Sequence, residues 1–179
     1  GTQILSGNIA HIGTTTINAG ILQIGNGETS LDDGSSNFVL AGTGKLVFNR
    51  NHDGTDFSQT VTGTGDVELQ NQDSGYFRFQ TGTTAAFTNT GKVILNLDAT
   101  PAAAYQATLY LQEANRFSST TELNVLSGSA MVRTNQTVAG KVGDRFYIAE
   151  DVPLDVGVNV ITVTATDWLV SPDQRLLDA

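Results

Sequence analysis

The sequence contains no cysteine and is poor in charge, in proline and in long apolar runs. Without cysteine, the 179-residue chain has no disulfide, no thiolate chemistry and no cysteine-ligated zinc. Charged residues make up 15% of the chain, and 9 basic against 18 acidic side chains give a net charge of −9. This balance argues against a nucleic-acid partner, because phosphate binding needs basic patches. No apolar run has the length of a bilayer span, so we expect no membrane insertion.

Glycine, rather than proline, separates the predicted strands, since the first hundred residues contain no proline. Between the glycines lie short β-prone runs, at residues 21–24, 37–40, 45–48, 66–69, 76–79 and 92–97. Their apolar residues alternate with the period of a half-buried strand. In one run this alternation predicts Phe77 and Phe79 in the core, with Tyr76 and Arg78 facing outward. The sequence therefore predicts an all-β protein.

Internal repetition favours a stacked arrangement of these strands. Residues 2–18 align without gaps to residues 108–124, which puts His11 at the position of Phe117 and predicts a stacked or half-buried imidazole. Shorter echoes at 42–46, 63–67 and 90–93 each predict a glycine turn just before a strand. A solenoid with roughly 20–25 residues per turn and strands about 4.8 Å apart fits this layout. A sandwich of antiparallel hairpins is the alternative.

One family shares these features. Residues 13–27 (GTTTINAGILQIGNG) closely resemble the β-strand repeat of autotransporter passenger domains, and residues 44–50 (GKLVFNR) with 61–65 (VTGTG) resemble its second half. Residues 109–111 and 120–124 resemble a decayed second copy, so the likeness covers about 2–70 well and 108–132 loosely. The resemblance implies a right-handed parallel β-helix that is secreted or displayed on the surface of a Gram-negative cell. Such passengers are commonly adhesins or surface scaffolds.

The second half of the chain departs from this pattern. Residues 146–154 (FYIAEDVPL) and 157–167 (GVNVITVTATD) resemble the last strands of bacterial immunoglobulin-like surface modules, which implies an antiparallel or immunoglobulin-like cap. About forty residues are too few for a complete sandwich of that kind. We therefore predict β-helix repeats over 1–100 and either continued coil or a β cap over 101–179, with a boundary near Pro101.

The most polar constellation lies at residues 51–56. Asn51, Asp53 and Asp56 place oxygen ligands at near-alternate positions around Gly54, as in half of a calcium loop, although the acid that normally closes such a loop is absent. A turn between two strands explains the same residues. Calcium is accordingly the one cofactor that the sequence suggests.

Other candidate chemistry has simpler explanations. The paired carboxylates Asp32 and Asp33 are typical of polysaccharide-cleaving β-helices, but they also read as an exposed loop. Neither His11 nor His52 belongs to a recognisable Ser/His/Asp arrangement. The remaining candidate is an aromatic strip for sugar, formed from some of the residues Tyr76, Phe77, Phe79, Tyr105, Tyr110 and Trp168. With no convincing catalytic set, we predict that the chain is not an enzyme.

Three hypotheses follow. The first is a non-catalytic extracellular structural or adhesive module, with a surface glycan or protein as partner. The second is a homo-oligomer or filament that assembles through terminal strands, either residues 2–5 or the β-branched run at 158–164, because unpaired strand edges recruit further strands. The third is a polysaccharide-active enzyme that uses Asp32 and Asp33.

Overall fold

The computed structural model describes residues 1–7, 11–27, 37–50, 54–71, 76–97, 108–132 and 146–148. These residues form strands and no helix, which confirms the all-β prediction. The strands are β1 (Thr2–Leu5), β2 (Thr14–Ile24), β3 (Asn37–Arg50), β4 (Thr55–Asp56), β5 (Thr60–Gly63), β6 (Asp66–Asn71), β7 (Tyr76–Phe79), β8 (Ala86–Phe87), β9 (Lys92–Leu97), β10 (Thr108–Leu111), β11 (Glu122–Ser127), β12 (Ser129–Val132) and β13 (Phe146–Ile148).

The strands form two sheets. Sheet A has the order β1-β2-β3-β6-β9-β11, with β5 and β8 continuing the pairing beside the first half of β3. Sheet B has the order β13-β12-β10-β7-β4. Every described strand pair is parallel. The antiparallel hairpin sandwich is therefore wrong for this part of the chain.

The chain passes back and forth between the sheets. It runs from β3 in sheet A to β4 in sheet B, returns through β5 and β6 to sheet A, and repeats this path through β7, β8 and β9, and again through β10 and β11. Each return adds a strand beside the one laid down on the previous pass. The two sheets continue across the boundary predicted near residue 101, because β10 pairs with β7 and β11 pairs with β9. Pro101 itself lies outside the described residues.

The register does not follow the sequence repeat. Residues 2–5 lie in sheet A, whereas residues 108–111, which align with them in sequence, lie in sheet B. Phe117 instead pairs with Phe87 on the preceding pass of the chain. Phe87 pairs with Val61, and Val61 pairs with Phe38, so these residues occupy one column across sheet A. Phe117 is buried and His11 is exposed, so the prediction of a half-buried imidazole is wrong. Threonine is frequent in this chain, and the matched threonines do not mark equivalent structural positions.

The buried apolar side chains of the described residues form one core between the two sheets. Its centre is a cluster of seven phenylalanines, Phe38, Phe48, Phe57, Phe77, Phe79, Phe87 and Phe117. Phe57 follows β4 and touches rings from both sheets, with centroids 5.3 Å from Phe48 and 5.5 Å from Phe77. The predicted burial of Phe77 and Phe79 is confirmed. Because such rings remove large apolar areas from water, this cluster is the main link between the sheets.

Glycines allow the backbone to pack closely at one side of sheet A. A Cβ added to Gly65 would lie 1.8 Å from the carbonyl oxygen of Gly44, and one added to Gly91 would lie 2.4 Å from that of Gly65. Gly44, Gly65 and Gly91 thus form a column, here called the glycine column, in which no larger residue fits. Turns precede β6 and β9 as the echoes predict, but residues 42–44 lie inside β3, where the register shifts at a bulge.

Candidate functional site

The structure describes one of the three candidate calcium ligands. Asn51 and Asp53 lie outside the described residues, whereas Asp56 ends β4. Its carboxylate accepts two hydrogen bonds from Arg78, from Nε to Oδ1 at 2.6 Å and from Nη2 to Oδ2 at 2.7 Å. Across the described ranges no three His, Asp or Glu side chains are grouped closely enough to hold a metal ion. The calcium site stays a prediction, and Asp56 already has a cationic partner.

Several other candidates fall outside the described part of the chain. They are Asp32, Asp33, His52, Tyr105 and Trp168. The aromatic strip is therefore reduced to its described members. Phe77 and Phe79 point into the core, while Tyr76 and Tyr110 lie on the opposite, outer face of sheet B.

Five residues on this outer face form a contiguous group, here called the Tyr76 cluster: Gly54, Asp56, Tyr76, Arg78 and Tyr110. Arg78 pairs in register with Asp56 on one side and with Tyr110 on the other. The guanidinium carbon of Arg78 lies 5.1 Å from the centroid of the Tyr76 ring, a cation–π arrangement. The rings of Tyr76 and Tyr110 meet edge to face, with centroids 5.7 Å apart.

Gly54 explains how the Tyr76 ring fits. A Cβ at Gly54 would lie 1.9 Å from Cζ of Tyr76, so the ring rests directly on glycine backbone. Tyr110, which is 8% exposed, contacts the same ring edge to face. Sequence alternation identified Tyr76 and Arg78 as outward residues, but Gly54 and Asp56 come from the loop and strand of a different pass of the chain. Their proximity depends on the register between β4 and β7.

The charged members of the cluster stabilise each other. The Asp56 carboxylate, through its hydrogen bonds, raises the pKa of Arg78 above its usual range despite the opposing effect of partial burial. The Arg78 and Asp56 side chains are 25% and 41% exposed, so this ion pair is open to solvent. The charges of Arg78 and Asp56 cancel, and among the described residues this surface combines hydrogen-bonding groups with an aromatic ring.

A second polar group lies on the outer face of sheet A. Glu68 is only 8% exposed, although Val67 and Leu69 beside it face the core. Its Oε2 pairs with Lys45 Nζ at 2.5 Å, and its Oε1 accepts hydrogen bonds from Gln70 at 2.6 Å and Asn96 at 3.0 Å. Burial raises the pKa of Glu68, but the hydrogen bonds from Lys45, Gln70 and Asn96 and the Lys45 charge outweigh burial and hold the pKa below its usual value.

The Glu68 group is best understood as a sheet-surface ion pair that ties three strands together, β3, β6 and β9. Sequence analysis missed it, although the alternation of Val67, Glu68 and Leu69 places the carboxylate outward. Lys92 and Glu122 form a further pair at 3.1 Å on the same face. These contacts link successive passes of the chain, and a carboxylate surrounded by donors in this way is a structural group.

An open groove of about 500 Å³ lies beside β1 and the first half of β2. It is lined by Gln3, Thr15, Thr16, Ile17, Asn18, Ala19, Ile21 and Leu22. Because β1 pairs only with residues 21–24 of β2, the groove follows the step where β1 begins. It contains no charged side chain and offers no catalytic set.

Comparison of this chain with protein-family models, with curated proteins and with solved structures finds no match. Among the described residues there is no helix with the length and hydropathy that crossing a bilayer requires.

Proposed function

We propose that this chain is a non-catalytic structural and adhesive module of a secreted or cell-surface protein, built as a right-handed parallel β-helix. The observation that carries the proposal is the pairing of strands. Each return of the chain to a sheet adds a parallel strand to the one before it. A coil built in this way grows by repetition and presents long, regular outer faces.

The packing supports the β-helix arrangement. The phenylalanine cluster fills the space between the sheets, and the glycine column lets one backbone turn lie directly on the next. Parallel strands joined through crossovers are right-handed in about 98% of cases. This rule and the resemblance of residues 13–27 to the passenger repeat both favour a right-handed coil.

The surface supports a binding role over a chemical one. Its outer faces carry ion pairs and amides whose partners are other side chains of the same sheet, as Glu68 and Arg78 illustrate. A carboxylate held ionised by such partners is poorly suited to proton transfer near neutral pH. The resemblance to autotransporter passengers, which are displayed outside the cell, supports an extracellular location.

Surface display tests this proposal. The chain, fused to an outer-membrane anchor on a bacterial cell, is compared with the anchor alone for adhesion to epithelial cells and to immobilised glycans. We expect greater adhesion with the chain, and loss of the gain when Phe87→Ala disrupts the core. Ile12→Ala is the control, because Ile12 is 83% exposed and its truncation leaves the core intact. Equal adhesion by the chain and by the bare anchor contradicts the proposal.

Self-association is a second candidate function, favoured by the edge of sheet A. β1 is the edge strand of the described sheet, and Ile4 on it is 50% exposed. An exposed edge of this kind accepts a further strand. Light scattering over a hundredfold concentration range tests it: growth that Ile4→Lys suppresses supports association through β1, and a constant monomer mass refutes it. The other strand predicted for this role, at 158–164, lies outside the described residues.

A further inference from the structure

The Tyr76 cluster has hydrogen-bonding capacity left over at the surface. An arginine carries five N–H donors, and a carboxylate accepts at about four positions. The bidentate pair between Arg78 and Asp56 uses two of each. Within the described residues, this leaves about three N–H donors of Arg78 and about two acceptor positions of Asp56 that make no hydrogen bond to the protein. These donors and acceptors lie next to each other. The Arg78 and Asp56 side chains are 25% and 41% exposed, so the pair is accessible to a ligand.

The groups are also held in place before any ligand arrives. The Tyr76 ring packs on the Gly54 backbone and contacts Tyr110, and Arg78 contacts both the ring and Asp56. Binding to an ordered surface avoids the cost of immobilising flexible side chains, which is about 0.5–1.5 kcal/mol for each one. Exposed ion pairs in isolation lack this advantage. The Lys92–Glu122 pair, for example, has no aromatic contact among the interactions of the described residues.

The chemistry of the cluster selects for a neutral polyhydroxy compound. Neighbouring hydroxyls of a sugar ring both donate and accept, so they match adjacent N–H donors and carboxylate acceptors. Tyr76 is half-buried, and the part of its side chain that stays exposed offers an apolar contact to the C–H groups of the sugar. An anionic ligand is disfavoured because Asp56 neutralises Arg78 and the chain carries a net charge of −9. Arg78 likewise neutralises Asp56, so this pair by itself does not attract a cation.

From these observations we propose that the Tyr76 cluster, through Asp56, Arg78 and Tyr76, binds a neutral sugar unit of an oligosaccharide. The proposal deepens and rests on the function proposed above, since it assigns a ligand class and a site to the adhesive role. The vicinal hydroxyls of the sugar bridge Asp56 and Arg78, and its C–H groups contact the part of Tyr76 that stays exposed.

Isothermal titration calorimetry with a fixed set of probes tests the site. The probes are maltoheptaose, cellohexaose, mannohexaose and galactan oligosaccharides, with polygalacturonate as an anionic comparison. We expect saturable binding of at least one neutral probe and weaker binding of polygalacturonate. Asp56→Asn and Arg78→Lys each remove charge-assisted hydrogen bonds, and each is expected to weaken binding about tenfold or more.

Glu122→Gln is the matched control, because it breaks an exposed ion pair on the other sheet. It is expected to bind like the parent chain, and unfolding temperatures of all three variants verify that they are folded. Absence of binding to every neutral probe overturns the proposal, as does unchanged affinity in folded Asp56→Asn and Arg78→Lys. Adhesion of the displayed chain without binding of these probes leaves the adhesive function standing and refutes only this site.

Discussion

The phenylalanine cluster leads to the sharpest prediction, for Phe87→Ala. Phe87 has no exposed surface and contacts three other rings, with centroids 4.7 Å from Phe57, 4.9 Å from Phe79 and 6.1 Å from Phe48. Phe57 and Phe79 belong to the side of the core formed by β4 and β7, while Phe48 belongs to sheet A. Removal of the Phe87 ring therefore opens a cavity where the two sheets meet.

The magnitude follows from the cavity and from the lost ring contacts. Truncation of a buried phenylalanine to alanine costs about 3–5 kcal/mol. Because three aromatic pairs are lost together, we expect the upper half of that range, about 4–5 kcal/mol. For a chain of this size, that loss lowers the melting temperature by roughly 8–20 °C. Total stabilities are about 5–15 kcal/mol, so this variant is expected to be close to unfolding.

Urea denaturation followed by far-ultraviolet circular dichroism and by tyrosine fluorescence measures this effect. Two probes are needed because stacked strands can unfold in stages, and coincident transitions justify a single free energy of unfolding. Phe38→Ala is an informative comparison, since Phe38 contacts one ring, Phe48, and is expected to lose less. Ile12→Ala is the surface control, expected to change stability by less than about 0.5 kcal/mol. If Phe87→Ala is as stable as Ile12→Ala, the phenylalanine cluster does not hold the sheets together.

Three further predictions concern the glycine column, a buried hydrogen bond and the Glu68 carboxylate. Gly65→Ala is expected to destabilise the chain by several kcal/mol in urea denaturation, because its Cβ would overlap the Gly44 carbonyl oxygen. Gly82→Ala is the control: its Cβ meets open space at a φ of 83°, so it is expected to cost only about 1–2 kcal/mol of backbone strain. Equal losses of stability in the two variants would contradict the close stacking of the glycine column. Thr121→Val is expected to lower the free energy of unfolding by about 1–3 kcal/mol, because it removes the 2.6 Å hydrogen bond that the Thr121 hydroxyl donates to the Asn89 carbonyl. Thr120→Val, at the exposed neighbouring position, is the control in the same urea denaturation. The pKa of Glu68 lies below its usual value in the folded chain, so the stability that this carboxylate contributes is present above the usual pKa and is lost as the pH falls through the folded pKa. Melting temperatures measured from pH 6 to pH 3 are expected to fall less steeply for Glu68→Gln than for the parent. Identical slopes would rule out a role for this carboxylate.

The candidate site was only partly accessible to sequence reasoning. Alternation along residues 76–79 placed Tyr76 and Arg78 on the outer face, as the structure has them. It could not show that Asp56 is their partner, because the two segments are separated by a turn through sheet A and meet only through the β4–β7 register. The calcium hypothesis treated Asp56 as a member of its local loop. Among the described residues, Asp56 forms its ion pair with Arg78, more than twenty residues away in sequence.

The sequence by itself determined where strands form and which of their residues face inward. Glycine spacing and the period-two alternation of runs such as 92–97 are local properties, and local conformation follows from them directly. Tertiary structure alone decided which strands become neighbours. Residues 2–18 and 108–124 look alike in sequence, yet His11 is exposed and Phe117 is buried, because position in the stack depends on partners one full pass of the chain away. The physical reason is that a strand's alternation specifies its faces, whereas its neighbours are selected by packing of the shared core and by hydrogen bonds between distant segments.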